Sequence, residues 1–291
     1  MFQVVHISKY YDRFRLEDIS LEIPKGYIVG VLGENGAGKS VLLKILLGYV
    51  KPDQGSLFMN GKNLWESGEV QREIKNELGF VLQEDFFSHY NTLLDNGLRY
   101  GKYYKDFNRE EFWGYLQEFG LEKKRRYGNL SRGEKLKFQF AFALSHHPKL
   151  LLLDEPLGSF DLSFREKFLT YLSHFVADEE HSVVIVSHLT QELEQMADYI
   201  AILHKGHLLE FADIEELRER YRLVSGEKYK VNLLKQERVI YQENGVYNTK
   251  ALVKHNQFRK YDKELLVEIP ALEDIFYYRL KGLGWKGDGN R

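Results

Sequence analysis

Eight residues, Gly33-Glu34-Asn35-Gly36-Ala37-Gly38-Lys39-Ser40, constrain this chain more than any other stretch. The apolar run 27–32 precedes them and 41–48 follows, which reads as strand, loop, helix. Gly-x4-Gly-Lys-Ser in that setting is the spacing of a phosphate-binding loop. Three glycines let the backbone turn tightly and aim successive N–H groups into a concave anion nest. The helix behind turns its unpaired N–H groups and positive dipole end to the same place. In such a loop Lys39 reaches the β- and γ-phosphates, and the Ser40 hydroxyl holds Mg²⁺. The plainer alternative is a glycine turn joining a strand to a helix, and the rest of the chain decides between them.

A length of 291 residues suits one large domain or two smaller ones. An apolar fraction of 43% and a charged fraction of 29% describe an ordinary globular protein. A net charge of −2 gives no general attraction to nucleic acid or anionic lipid. The absence of cysteine excludes disulfides and thiolate metal sites, and fits a cytoplasmic protein. No signal peptide is expected from residues 1–6, and no apolar run approaches the ~18 residues of a membrane span.

Residues 1–31 alternate apolar and polar and predict antiparallel strands ahead of the loop. Tyr11 lies between them, either packed on a strand or free to stack on a purine. Gly48 is placed to end the helix after the loop, 56–62 reads as a strand closed by a turn, and 78–83 as a short strand ending in Gln83. Residues 84–147 are expected to be helical and aromatic-rich, their aromatics divided between core and a groove for a partner helix. Ser131 and Glu134 form a capping box at a helix start, and the same Ser-Arg-Gly-Glu turn can serve as a second anion site. Leu150–Leu153 predicts a fully buried parallel strand. Asp154 and Glu155 follow it, where ligands gather in parallel α/β sheets. Asp154 suits Mg²⁺ and Glu155 a general base. Residues 182–188 form another buried strand, ending in His188, and 199–211 a hairpin.

Taken together, these motifs resemble the nucleotide-binding subunit of an ABC transporter over residues 1–217. Gly33 to Ser40 matches the Walker A loop, Leu150 to Asp154 the Walker B strand and Glu155 the catalytic glutamate. Gln83 matches the Q-loop, His188 the switch histidine and Gly158 to Asp161 the D-loop, while Tyr11 sits at the adenine-stacking position. Leu130 to Glu134 resembles the signature loop, usually LSGGQ, with Arg132 in place of a glycine and Glu134 in place of the glutamine. Ser131 and Gly133 are kept. Val41 replaces a frequent second hydroxyl, where only a backbone N–H is needed.

The resemblance implies an α/β P-loop NTPase core, mostly parallel, with an antiparallel β subdomain and a helical subdomain at about 84–147. It also implies that ATP and Mg²⁺ are held between two subunits meeting head to tail, as a homodimer or with a related ATPase. Gly33, Glu34, Asn35, Gly36, Ala37, Gly38, Lys39, Ser40, Val41 and Tyr11 would bind the nucleotide from one side. Ser131, Gly133, Glu134 and Asp161 would close it from the other. Ser40, Gln83 and Asp154 would serve the metal, and Glu155, His188 and Gln83 the chemistry. The expected function is ATP hydrolysis energising transport through separate permease subunits at the inner face of the membrane, with 84–104 as their docking surface. No nucleic-acid partner is expected.

Beyond residue 220 the texture changes. Short strands are expected at 228–234, 238–243, 246–254 and 265–270, then a helix over 270–282 with an acidic start and basic end. The expected organisation is therefore an ATP-binding domain at 1–220, a small α+β extension at 221–282 and a disordered tail at 283–291. The Pro270-Ala271-Leu272-Glu273-Asp274 stretch resembles the ending of ATPases from ABC-2-type exporters of antibiotics and bacteriocins. Two alternatives remain: a soluble ABC ATPase acting on ribosomes or nucleic acid, and a polysaccharide exporter whose extension reads its ligand.

Overall fold

In the computed structural model, residues 2–234, 238–246, 248–256 and 261–284 are described. Packing divides the chain into two units, residues 1–188 with 196–211, and residues 189–195 with 212–291. The dividing line near 212 lies ahead of the expected 220. Within the second unit Glu194 binds Arg218 Nη2 at 2.6 Å and accepts from Leu272 N at 3.1 Å, which ties 189–195 to 212–291.

In the first unit, the alternating N-terminal stretch forms β1 (Phe2–Tyr11) and β2 (Phe14–Ile23), paired antiparallel. With β4 (Gln54–Met59) and β5 (Lys62–Asn63) they make a four-stranded sheet in the order β2-β1-β4-β5. One face carries Phe2, Val4, Ile7, Leu16, Ile19 and Leu57 into the core. The second sheet contains β3 (Ile28–Gly33), β6 (Leu78–Val81), β7 (Leu150–Asp154), β8 (Ser182–Ser187), β9 (Tyr199–His204) and β10 (His207–Asp213). Its order is β10-β9-β3-β8-β7-β6, and from β9 to β6 every pair is parallel. Strands β3 and β8 are buried along their whole length, the pattern of a sheet covered on both faces. This mixed α/β architecture agrees with the fold read from the sequence.

Helix α1 (Lys39–Leu46) follows the glycine loop, and Gly48 ends it in the left-handed region with φ 66°, its N–H donating to Ile45 O. Next come α2 (Gly68–Asn76), α3 (Leu93–Gly101), α4 (Arg109–Glu118), α5 (Arg132–Leu144) and α6 (Leu162–Val176). The aromatics expected between 84 and 147 are largely core. Phe87, Phe112, Tyr127, Phe138 and Phe142 are buried together, with Phe87 and Phe138 edge to face at 4.8 Å. Gly97 admits this packing, since a Cβ there would lie 2.1 Å from the Phe112 ring. Tyr90 and Tyr103 remain exposed.

The second unit has α7 (Thr190–Glu194), α8 (Ile214–Glu219), β11 (Tyr221–Gly226), α9 (Lys228–Asn232), β12 (Val239–Asn244), β13 (Thr249–Lys254), β14 (Leu266–Glu268) and α10 (Leu272–Gly282). Its antiparallel sheet runs β12-β13-β11-β14. Two local readings are corrected. Residues 228–232 are helical rather than extended, because Val231 and Leu234, three apart, are the side chains packed on the core while Tyr229 and Leu233 are exposed. Strand β11, unassigned from the sequence, is central to the sheet. The expected disordered tail falls mostly on 285–291, outside the described residues; Leu283 and Gly284 close α10 by N–H donation to Leu280 O and Lys281 O.

One buried group makes this fold sensitive to acid. His146 is 2% exposed, its ring nitrogens 3.1 Å from Phe142 O and Leu78 O. Burial pushes its imidazole down from 6.5 to about 4. Between those values the unfolded chain takes up a proton that the folded one refuses, so stability falls as pH drops. The loss is about 3 kcal/mol across the whole window. Urea unfolding at pH 7.5, 6, 5 and 4 should show this slope, and His146→Gln should flatten its share.

Candidate functional site

The carboxyl ends of β3, β8, β7 and β6 lie side by side, which brings residues distant in sequence to one sheet edge. Register aligns them: Leu32 is opposite Ser187, Asp154 opposite Val186, and Val81 opposite Leu153. The glycine loop, His188, Asp154 with Glu155, and Gln83 therefore emerge at nearly the same level.

The loop fits a phosphate chain. Gly36 and Gly38 have φ of 80° and 109°, a region costly to residues with a Cβ. Gly33 has no room either, since a Cβ would lie 2.7 Å from Leu203 O. Lys39 is buried and donates from Nζ to Gly33 O at 2.6 Å and Glu34 O at 3.0 Å. Burial pulls its ammonium below the usual lysine range, and Glu155, Asp154 and Glu34 partly oppose that. The loop opens on a cavity of about 440 Å³ whose lining includes Asn35, Ser40, Val41, Gln83, Asp154 and Glu155.

Glu155 has φ 45°, so its backbone is strained by about 1–3 kcal/mol. Neighbours hold it there: its N–H donates to Val186 O at 2.9 Å and its carbonyl accepts from Gln83 Nε2 at 3.0 Å. Its Oε1 is 2.7 Å from His188 Nδ1. Asp154 is raised above the usual carboxylate range, first by burial and then by the Glu155 charge. Such a site favours an added cation. Among the described residues no three His, Cys, Asp or Glu gather as a metal cluster. The local donors are the Asp154 carboxylate, the Ser40 hydroxyl and the Gln83 amide oxygen, all hard oxygens of the kind Mg²⁺ takes, with substrate phosphates completing the set.

Other expected residues lie outside this cavity. Ser131 caps α5, accepting from Glu134 N at 3.3 Å while Glu134 Oε2 accepts from Ser131 N at 2.8 Å. Glu134 also binds the Arg125 guanidinium, which holds its carboxyl below the usual range. Gly133 faces Ser159, with 2.4 Å from a would-be Cβ to the Ser159 carbonyl oxygen. Asp161 caps α6 through Phe164 N and pairs with Lys137 at 2.7 Å. Tyr11 is 45% exposed and beside Lys9, whereas Phe14, its partner in the β1–β2 register, lines the cavity and packs over Gly38. Phe14, Lys44 and Glu84 were not singled out from the sequence. The hairpin pairing of Phe14 with Tyr11 was the one available signal; the Lys44–Glu84 ion pair at 2.7 Å joins residues no motif links.

Comparison with known proteins gives this geometry a family. A profile described as ABC transporter matches residues 16–158. The bacitracin transport ATP-binding protein BcrA of Enterococcus faecalis is 32% identical over 220 residues, covering 74% of this chain and 70% of its own. The chain belongs to the ATP-binding subunits of ABC transporters. It is accordingly an ATP-binding ATPase subunit. The methionine import ATP-binding protein MetN of Protochlamydia amoebophila (strain UWE25) is 30% identical over 219 residues, covering 73% of this chain and 64% of its own. The ABC transporter ATP-binding protein YtrB of Bacillus subtilis (strain 168) is 28% identical over 295 residues, covering 97% and 99%, so its likeness extends through the second unit. A solved ATP-binding subunit of an ABC transporter shares the fold at TM-score 0.68, with 23% identity over 75% of this chain and 92% of that one.

Gly38→Ala tests the fit of the loop. A methyl group at φ 109° would meet Phe14 Cζ at 2.8 Å and Leu16 Cδ1 at 3.0 Å. Affinity for a fluorescent ATP analogue should fall about tenfold or more, from strain of about 1–3 kcal/mol. Far-UV circular dichroism should be unchanged.

Proposed function

We propose that ATP, with Mg²⁺, clamps two such subunits head to tail, and that hydrolysis reopens the pair to drive a separate membrane permease. The observation that carries this reading is the incomplete cavity. Lys39, Ser40, Asp154, Glu155 and Gln83 surround one side of a phosphate site, while Ser131 and Gly133 lie at the N-terminus of α5, outside its lining. A second subunit bringing that helix end to the γ-phosphate would complete the enclosure with N–H groups and a positive dipole end.

In this reading the loop N–H groups and Lys39 hold the β- and γ-phosphates, and Ser40, Asp154 and Gln83 hold the metal. Bound Mg²⁺ would neutralise charge on the phosphate oxygens. Glu155 takes the proton of an attacking water, and His188, at hydrogen-bond distance from it, orients that carboxylate and contacts the γ-phosphate. Phe14 and Tyr11 are the aromatic candidates for the adenine. Loss of phosphate then removes the charge that both subunits share, and the pair parts.

The permease contact is assigned to a groove of about 490 Å³ lined in part by Tyr49, Lys75, Phe86, Tyr100 and Tyr104, within and beside residues 84–104. No helix among the described residues is long and apolar enough to cross a membrane, so the translocation path is assigned to other chains at the inner face. Export is the favoured direction, supported by the exporter-like stretch after Pro270. The methionine import relative supports uptake as the competing reading, which transport assays in oriented vesicles would separate.

Glu155→Gln should lower steady-state ATP turnover about 10²-fold or more. In saturating Mg-ATP it should also accumulate a dimer seen by sedimentation. Unchanged turnover would remove Glu155 as the base, and a chain that stays monomeric, alone or with a related ATPase, would remove the clamp.

A further inference from the structure

Three consecutive residues after β6 are each gripped by a cation from elsewhere in the first unit. Gln83 Oε1 accepts from the Arg132 guanidinium. Glu84 pairs with Lys44 of α1 at 2.7 Å, and Asp85 with Lys135 of α5 at 2.7 Å. Arg132 and Lys135 are three apart on one helix and share a face. The start of α5 is thereby tied twice to the segment carrying Gln83.

The Gln83 amide is oriented without ambiguity. Its Nε2 lies 2.9 Å from Asp154 O and 3.0 Å from Glu155 O, both of which only accept, so nitrogen faces them and oxygen faces Arg132. That oxygen is the only metal-ligating atom the side chain has. A divalent cation on it would sit within a few ångströms of a guanidinium that cannot lose its charge. The guanidinium and the metal therefore compete for that oxygen.

We propose that Arg132 is a positioning residue acting through Gln83: it competes with the metal for the amide oxygen and lets go of it as the metal-nucleotide loads. Breaking that contact frees one of the two ties on α5, so filling of the pocket is reported to the helix that carries Ser131. The inference rests on the reading of Gln83 as a metal ligand. Glycine at this position has no side chain to make the contact, so the latch belongs to chains with a long donor here.

Binding of Mn²⁺, read by electron paramagnetic resonance of the free ion, tests this on the full chain with saturating non-hydrolysable ATP analogue. Protein is kept at a concentration where sedimentation shows a single chain. Gln83→Ala should weaken Mn²⁺ binding, and failure to do so would remove Gln83 as a ligand and the reading beneath the proposal. Arg132→Met, which keeps the aliphatic stem at an exposed position, should tighten Mn²⁺ binding about five- to tenfold. Metal-free analogue affinity should not change. Arg132→Lys, retaining a charged donor, should restore most of the parent value. In a Gln83→Ala background the effect of Arg132→Met should vanish. If Gln83→Ala weakens binding but Arg132→Met leaves it unchanged, or tightens it equally without Gln83, the latch is overturned.

Discussion

The backbone ladder joining β3, β8, β7 and β6 is the constraint on which the site depends. Every residue of β3 and β8 is buried, as are the four leucines of β7, so sliding one strand past another would strand apolar side chains and misplace the residue at its end. Because the four strands are parallel and adjacent, a correct register delivers a phosphate loop, a histidine, two carboxylates and an amide to one edge. Each of these groups starts within two residues of a strand end. The chemistry inherits its geometry from the core.

Burial also sets the charges. Lys39 loses basicity and Asp154 loses acidity because both are partly taken out of water, and each shift is tempered or reinforced by its neighbours. A phosphate chain and a divalent cation would reverse these penalties together, supplying a negative partner to one and a positive partner to the other. Nucleotide and metal therefore fit this edge as a pair better than either does separately.

Legibility followed the length scale of the physics. The glycine loop, the leucine strand with its two acids and the capping box of Ser131 and Glu134 were readable, because each is a contiguous stretch whose local chemistry dictates its shape. The parallel core followed from unbroken apolar runs. Contacts made across the chain were not readable: Arg132 meets Gln83 from 49 residues away, and Phe14 reaches the cavity only through its pairing in the hairpin. In the second unit, the apolar residues of 228–234 fit both a strand and a helix period, and only the packing of Val231 and Leu234 decides for the helix Lys228–Asn232 over the expected strand.

Gly133 lies so near the Ser159 carbonyl oxygen that any side chain would force the two segments apart. Selection for folding alone would then preserve glycine there, even in a descendant that had stopped using nucleotide. Its persistence across an alignment would carry little news about catalysis.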